Sequence, residues 1–220
     1  MTERDISIPM GTSTPEWPGD QPFSCGWTQT LARGGSVNLS AITTSPHVGT
    51  HADAPLHVRD GWPASHDIPL SPFAGRAIVC RVDGSVETVE MRHLRALPAS
   101  GRVERLLLRT DCSVADGRFP EQWPVMSVAA IRALLERGLV LLGVDTPSVD
   151  ARHSKTLDVH HALFGGGAFN IESLDLRGVD DGDYELVAYP ILLHGLDAAP
   201  LRAVLRSSRS RKRGERVNRV

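Results

Sequence analysis

The segment HVGTHADAPLH, residues 47–57, contains four side chains that can bind a metal ion or transfer a proton, namely His47, His51, Asp53 and His57. All four residue numbers are odd. Because successive side chains of an extended strand point to opposite faces, an extended segment would present all four on one face. Imidazole nitrogen and carboxylate oxygen are suitable ligands for Zn²⁺, and the mixture also admits Mn²⁺, Co²⁺ or Fe²⁺. The segment therefore predicts a strand that carries a divalent metal site.

A helical interpretation of the same segment is weaker. His47 and His51 have the i, i+4 spacing of helical metal sites of the HExxH type. However, Pro46 and Pro55 bracket this pair, and Gly49 is a poor interior helix residue. A single histidine usually has a surface or packing role, but three of the nine histidines fall in this one segment, which favours a metal site over packing.

Strand and helix patterns alternate along the rest of the chain. Four aliphatic or β-branched runs predict strands, at residues 77–82, 103–109, 139–144 and 184–193. Three patterns predict helices, at residues 88–97, 127–137 and 154–164. In the second helix Ser127 is the expected N-cap and Gly138 the expected C-cap. The remaining region, residues 9–75, contains most of the 15 prolines and predicts strands joined by irregular loops. The pattern predicts one mixed α/β domain.

Composition restricts the class of protein. A chain of 220 residues with 41% hydrophobic and 23% charged residues is typical of one globular domain. The three cysteines are scattered, which argues against a disulfide framework and for a reducing compartment. The N-terminus has no secretory signal pattern, and no apolar run is long enough to cross a bilayer. We expect a cytoplasmic protein without a membrane partner.

The charge is uneven along the chain. Residues 206–220 contain seven Arg or Lys residues and one Glu, whereas the whole chain has a formal net charge of -2. A basic segment with few apolar residues cannot bury enough surface to fold, so we expect residues 206–220 to be a disordered tail beyond a domain of residues 1–205. No nucleic-acid partner is expected from this tail, because a solvated segment is the more common explanation of such a basic terminus than contact with nucleic acid or an anionic surface.

The segment SPHVGTHADAPLH, at residues 45–57, resembles the HxGTHxDxPxH signature of the cyclase family of metal-dependent hydrolases. Five further segments resemble, in the same order, those of the bacterial arylformamidase branch of that family. They are TPEWPGD at 14–20, DTPSVD at 145–150, SKTLDVHHA at 154–162, GDYELVAYP at 182–190 and LDAAPLRAVLR at 196–206. The resemblance covers residues 5–206.

The resemblance implies roles for individual residues. It implies a metal-ligand set of His47, His51, Asp53, His160 and Glu172, which would hold two divalent ions, with Zn²⁺ expected and Mn²⁺ or Co²⁺ as alternatives. In such enzymes the aspartate bridges the two ions. The resemblance assigns proton transfer to His57 and part of the substrate pocket to Trp17.

The resemblance also implies a fold and an activity. The expected fold is the single-domain swivelling β/β/α fold of the family, a mixed sheet with flanking helices that assembles as a homodimer. The expected reaction is the hydrolysis of an aryl formamide, N-formyl-L-kynurenine, to L-kynurenine and formate by a metal-activated water. The alternatives are a related amidohydrolase acting on another aryl amide or a lactam such as isatin, and a non-catalytic metal- or ligand-binding protein. Retention of every expected ligand disfavours the last.

Three features of the sequence allow more than one interpretation. His160 and His161 are adjacent, and we favour His160 as the ligand because its spacing to Glu172 matches the family. Residues 164–171 are glycine-rich where the family is expected to be bulkier, which leaves their contribution to the pocket open. Asp145 follows an apolar run and fits either a ligand-orienting or a turn-capping role.

Overall fold

The structure, a computed structural model, describes residues 2–207. Within that range the chain forms thirteen strands: β1 (Glu3–Asp5), β2 (Ser24–Gln29), β3 (Leu39–Thr43), β4 (His51–Asp53), β5 (Ala74–Arg81), β6 (Thr88–Val89), β7 (Arg105–Arg109), β8 (Val125–Met126), β9 (Leu141–Val144), β10 (Phe169–Ile171), β11 (Gly182–Val187), β12 (Ala198–Pro200) and β13 (Val204–Ser207). Two α-helices accompany them, α1 (Val128–Glu136) and α2 (Asp158–Gly165).

A seven-stranded mixed sheet forms the centre of the fold, in the order β1-β13-β11-β5-β7-β9-β10. Strands β5, β7, β9 and β10 are parallel to one another, and β11, β13 and β1 continue the sheet in antiparallel pairs. The middle strands are rich in Leu, Ile and Val and are buried, as expected where both faces of a parallel sheet are covered.

Two apolar cores cover the two faces of this sheet. One contains Ile131 and Leu134 of α1 and Leu163 of α2, packed on β7 and β9. The other contains Phe73, Leu174 and Leu205, packed on the opposite face. The mixed sheet with flanking helices is the predicted fold class, and it is confirmed.

Helix α1 shows how local signals determine one element. Its amphipathic stripe faces the core, and the Ser127 hydroxyl accepts a hydrogen bond from the Ala130 amide at 3.1 Å. Gly138 follows the helix with φ +85°, the left-handed conformation in which glycine is favoured. The predicted helix and its Ser127 N-cap are confirmed, whereas the C-cap residue is Arg137 and Gly138 follows it.

Other predicted elements differ more from those that the structure shows. The helix predicted over residues 88–97 is wrong, because β-branched Thr88 and Val89 form strand β6, which pairs with β8. Helix α2 begins at Asp158, four residues after the predicted start. Strand β11 ends at Val187 rather than 193, and Pro190 beyond it lacks the N–H that a continued ladder needs.

The strand pair β4–β12 lies beside the central sheet and positions the site. Ala198 of β12 pairs with Asp53 of β4. A backbone bridge also joins His51 to Glu172, with N···O distances of 3.3 and 3.0 Å in the two directions. Because Glu172 directly follows β10, this bridge brings β4 to the carboxyl end of the parallel strands, where α/β proteins commonly bind ligands.

The hairpin formed by β2 and β3 stands apart from both cores. Every residue of the two strands is exposed, and the side chains include Trp27 and Ile42, which are 58% and 61% exposed. Two isolated strands bury too little surface to be stable alone. The exposed apolar side chains of this hairpin would therefore be stabilised by burial against another surface.

The C-terminal end of the described chain belongs to the central sheet. Strand β13 continues through Ser207, two residues past the predicted domain boundary. The rest of the predicted tail, residues 208–220, lies outside the described residues. Neither helix found between residues 2 and 207 is long and apolar enough to span a membrane.

Candidate metal centre and active site

The segment 47–57 is extended over only part of its length. Strand β4 covers His51–Asp53, while His47 lies in a preceding turn and His57 ends a short 3-10 helix, Pro55–His57. The turn depends on Gly49, whose φ is +74° and whose added Cβ would lie 3.0 Å from the Ile8 carbonyl oxygen. The continuous strand predicted from the odd numbering is therefore wrong, although its four polar side chains do converge.

Three donor atoms from this segment form a first cluster. His47 Nδ1 lies 3.1 Å from His51 Nε2 and 3.1 Å from Asp53 Oδ1, and His51 Nε2 lies 3.4 Å from that oxygen. Donors of a tetrahedral ion with bonds of about 2.1 Å stand about 3.4 Å apart, so the spacing fits a divalent metal. Asp53 Oδ1 is also buried without a hydrogen-bond partner among residues 2–207, which is the state a metal ligand requires.

A second cluster forms around the other oxygen of the same carboxylate. Asp53 Oδ2 lies 3.2 Å from His160 Nε2, which in turn lies 3.3 Å from Glu172 Oε1. The Asn170 amide donates to Asp53 Oδ2 at 2.6 Å and to Glu172 Oε1 at 3.1 Å. The two oxygens of Asp53 thus face two different donor sets, as expected of a carboxylate between two ions.

The first turn of α2 selects between the two adjacent histidines. His160 is buried, and its Nδ1 lies 2.7 Å from Asp150 Oδ2, which leaves Nε2 facing the second cluster. Asp150 also accepts hydrogen bonds from the backbone amides of Val159 and His160. His161 is exposed and contacts the ring of Trp62 instead. The geometry supports His160, rather than His161, as the histidine that would bind the metal.

Carboxylates control the protonation of the first cluster. Burial alone would lower the pKa of both imidazoles, but the carboxylates of Asp197 and Asp53 raise the pKa of His47 to about 9. The carboxylates of Asp53 and Glu172 raise the pKa of His51 to about 10. Without metal the cluster therefore holds protons near neutral pH, and a divalent cation would displace them.

The second cluster shows the same balance. Burial opposes protonation of His160, but Asp150 and Asp53 hold its pKa well above the usual value. Burial would likewise raise the pKa of Asp53 and Glu172, yet the neighbouring imidazoles keep both below their usual values. Buried carboxylates that remain ionised provide the negative charge that a divalent cation needs.

His57 lies beside the first cluster. Its ring centroid is 4.5 Å from that of His47, and its Nδ1 lies 3.1 Å from Asp197 Oδ2. With His47 and Asp53 it also forms a group close enough to share an ion. The geometry therefore fits both the expected proton transfer and a ligand role, and the metal content of a His57→Ala variant distinguishes the two.

A cavity of about 290 Å³ opens onto both clusters. His57, His160 and Glu172 line its inner end, and Trp17 and Phe119 form an aromatic wall in edge-to-face contact, with ring centroids 5.2 Å apart. Trp17, to which the resemblance assigns part of the substrate pocket, thus lies in the wall of this cavity. A larger cavity of about 590 Å³ around three arginines shares no lining residue with this one.

Three polar residues at the centre were not predicted from the sequence: Asp150, Asn170 and Asp197. Asn170 lies two residues before Glu172, so strand alternation places both on one face, and this signal could have found it. Asp145, by contrast, caps a turn by accepting hydrogen bonds from the amides of Thr110 and Asp111. Its pKa rises to about 6 because it is buried.

Comparison with known proteins gives a consistent result. Residues 4–151 match the family described as "Putative cyclase". The chain is 42% identical over 202 residues to a kynurenine formamidase of Bordetella petrii, covering 92% of this chain and 96% of the relative. A solved structure titled as a potential metal-dependent hydrolase with cyclase activity superposes with TM-score 0.78 at 26% identity, covering 94% of this chain and 99% of that one.

A more distant structural neighbour bears on the alternative substrate. Isatin hydrolase A from Ralstonia solanacearum superposes with TM-score 0.75 at 22% identity, covering 93% of this chain and 91% of that one. At this level of identity the similarity shows a shared fold alone.

Proposed function

Since this chain belongs to the cyclase family of metal-dependent hydrolases, we propose that it hydrolyses N-formyl-L-kynurenine to L-kynurenine and formate. The observation that carries the proposal is the pair of donor clusters around Asp53 at the inner end of an aromatic-walled cavity. The similarity to kynurenine formamidases over nearly the whole chain specifies the aryl formamide among the amides such a centre could cleave.

We assign two divalent ions to the centre, with Zn²⁺ expected. His47, His51 and Asp53 would hold one, and Asp53, His160 and Glu172 the other. When bound, such ions lower the pKa of a coordinated water and polarise the formyl carbonyl. Imidazole and carboxylate ligands suit Zn²⁺, and also suit Mn²⁺ or Co²⁺.

We assign to His57 the transfer of a proton from the water to the leaving nitrogen. The water oxygen attacks the formyl carbon, the bond from that carbon to the aryl nitrogen breaks, and the nitrogen leaves as an amine. Because an amine leaves poorly as an anion, it needs a proton at that step. His57 lines the cavity beside the first cluster, so it can accept a proton from the water and pass it to the nitrogen.

The aryl group is assigned to the wall formed by Trp17 and Phe119. Edge-to-face and stacked contacts with aromatic rings stabilise a bound aryl ring at that wall. The substrate's formyl group would then lie toward His57 and the metal ligands at the inner end.

We further propose a cytoplasmic homodimer. All three cysteines are free, as expected in a reducing compartment. The exposed hairpin of β2 and β3, with Trp27 and Ile42, offers apolar surface for a second copy. Light scattering measures the molar mass in solution and so tests the dimer. The double substitution Ile42→Asp and Trp27→Asp should shift the protein from dimer toward monomer.

The decisive test combines a substrate panel with metal analysis. Purified protein is loaded with Zn²⁺, its metal content is measured, and the same sample is assayed with N-formyl-L-kynurenine and with isatin. We expect formate release from the formamide and at most slow opening of the lactam. Preferential opening of isatin would favour the alternative hydrolase, and no turnover of either by metal-loaded protein would favour a binding protein.

A further inference from the structure

A single carboxylate oxygen contacts two histidines with different proposed tasks. Asp197 Oδ2 lies 3.0 Å from His47 Nε2 and 3.1 Å from His57 Nδ1. The first histidine belongs to the metal-ligand set, and the second is the proposed proton carrier. The family signature contains both histidines but not this aspartate, which lies 140 residues beyond His57.

The backbone holds Asp197 firmly beside the metal-binding strand. Its carbonyl oxygen accepts a hydrogen bond from the Ala54 amide at 2.8 Å, and the next residue, Ala198, pairs with Asp53. Strand β12 is therefore hydrogen-bonded to the ligand strand β4 at the point where Asp197 lies. This pairing places the Asp197 carboxylate beside the two imidazoles that it contacts.

We propose that Asp197 is a positioning residue that sets the tautomers of both histidines. An ionised carboxylate only accepts hydrogen bonds, so His47 must carry its hydrogen on Nε2 and His57 its hydrogen on Nδ1. His47 then presents the lone pair of Nδ1 to the first metal cluster. His57 presents Nε2, which has no hydrogen-bond partner among the described residues, as the proton-transfer atom.

The exposure of this carboxylate distinguishes a functional role from a structural one. The Asp197 side chain is 42% exposed, and that of His57 is 29% exposed. The partly solvated Asp197–His57 pair contributes little to stability. The more buried His47 keeps a second carboxylate partner, Asp53 Oδ1 at 3.1 Å, when Asp197 is removed. Removal of the carboxylate should therefore leave the fold intact while it disturbs the two imidazoles.

The inference rests on the metal ligands and on the role of His57 proposed above, and a double-mutant cycle tests it. Asp197→Ala removes the shared acceptor oxygen, so neither tautomer is held in place. We expect kcat to fall about 100-fold while KM changes less than about threefold. In a His57→Ala background only the effect through His47 remains, so the same substitution should lower kcat by about tenfold or less. An equal loss of kcat in both backgrounds would overturn the proposal.

A spectroscopic readout is independent of activity. Zn²⁺-loaded protein with ¹⁵N-labelled histidine should show Nδ1 of His57 protonated and Nε2 unprotonated, with the signals assigned by their loss in His57→Ala. Asp197→Ala should release both imidazoles from these tautomers and change the His57 signals, and unchanged spectra would overturn the proposal. These spectra need no substrate, so they test Asp197 even if N-formyl-L-kynurenine is not turned over.

A matched control comes from a second aspartate–histidine pair. Asp67 Oδ1 lies 3.7 Å from His66 Nε2, outside the cavity. Asp67→Ala should leave kcat and the His57 signals as in the unmodified protein. Equal effects of Asp67→Ala and Asp197→Ala would show a general effect of lost charge and would overturn the proposal.

Discussion

Nδ1 of His160 lies 2.7 Å from Oδ2 of Asp150, and this short contact fixes which ring nitrogen faces the metal-ligand set. The Asp150 carboxylate also accepts hydrogen bonds from the backbone amides of Val159 and His160, in the first turn of α2. The same carboxylate therefore caps the helix and orients the imidazole that the helix carries. A ligand histidine supported by a carboxylate is a common arrangement in metal sites.

Asp150→Asn should weaken metal binding without unfolding the protein. The amide cannot act as the acceptor for all three groups, so we expect Zn²⁺ affinity to fall about 10- to 100-fold. Loss of the helix cap should lower the free energy of unfolding by about 1 kcal/mol. Chelator competition measures the affinity, and thermal unfolding measures the stability. Unchanged affinity would mean that the contact is only a cap.

The adjacent histidines offer a matched pair of variants. His160 is buried among carboxylates, whereas His161 is exposed beside Trp62. His160→Ala should therefore lose metal from the second cluster, while His161→Ala should retain it. Elemental analysis of both purified variants decides the assignment. Metal loss in His161→Ala alone would reverse it.

Local sequence signals predicted those elements whose determinants are local. The caps and apolar stripe of α1 lie within a dozen residues, and the aliphatic runs of β5, β7 and β9 are buried wherever the sheet forms. The predicted helix at 88–97 was wrong, because its spacing fits a helix but pairing of β6 with β8 gives its backbone other partners.

The site was predictable in part for the same reason. His47, His51 and Asp53 are near in sequence, so spacing alone could indicate them, even though a turn rather than a continuous strand brings them together. Asp150 and Asp197 carry no such local signal. Their contacts with the histidines depend on how β12 and α2 pack against β4, which only the fold provides.

His57→Ala distinguishes proton transfer from metal ligation. If His57 carries the proton, the variant should retain the metal content of the unmodified protein while kcat falls at least about 100-fold. His47→Ala serves as the contrasting variant and should lose metal itself. Elemental analysis and formate release, measured on the same samples, give both quantities. Metal loss in His57→Ala would place His57 in the ligand set.

Trp17→Ala should impair substrate binding more than chemistry. Trp17 packs edge-on against Phe119 in the cavity wall, so its removal takes away aromatic contact with a bound aryl ring. We expect KM for N-formyl-L-kynurenine to rise about tenfold, since such contacts are worth on the order of 1 kcal/mol. Metal content should not change. Trp62→Ala, outside this wall, should leave KM unaltered, and equal effects would contradict the assignment.

The protonation of the first cluster makes metal-free protein sensitive to alkaline pH. The pKa of His47 and that of His51 lie at about 9 and about 10, above the ordinary value of 6.5. Their protonated forms therefore stabilise the metal-free fold fully below about pH 6.5, and this stabilisation is lost as the pH rises through those values. Asp53 and Glu172, whose pKa values are lowered, contribute stability that is lost only in acid.

Metal-free protein should consequently show a Tm that falls between about pH 6.5 and pH 10, while its affinity for Zn²⁺ rises over the same interval. Both trends have one cause, since the protons that stabilise the metal-free cluster are those that the ion must displace. Calorimetry with and without Zn²⁺ measures the first trend, and competition with a chelator measures the second. His47→Gln removes one of the two groups and should flatten the fall in Tm. A Tm that rises with pH in metal-free protein, or an equally steep fall in His47→Gln, would contradict this origin.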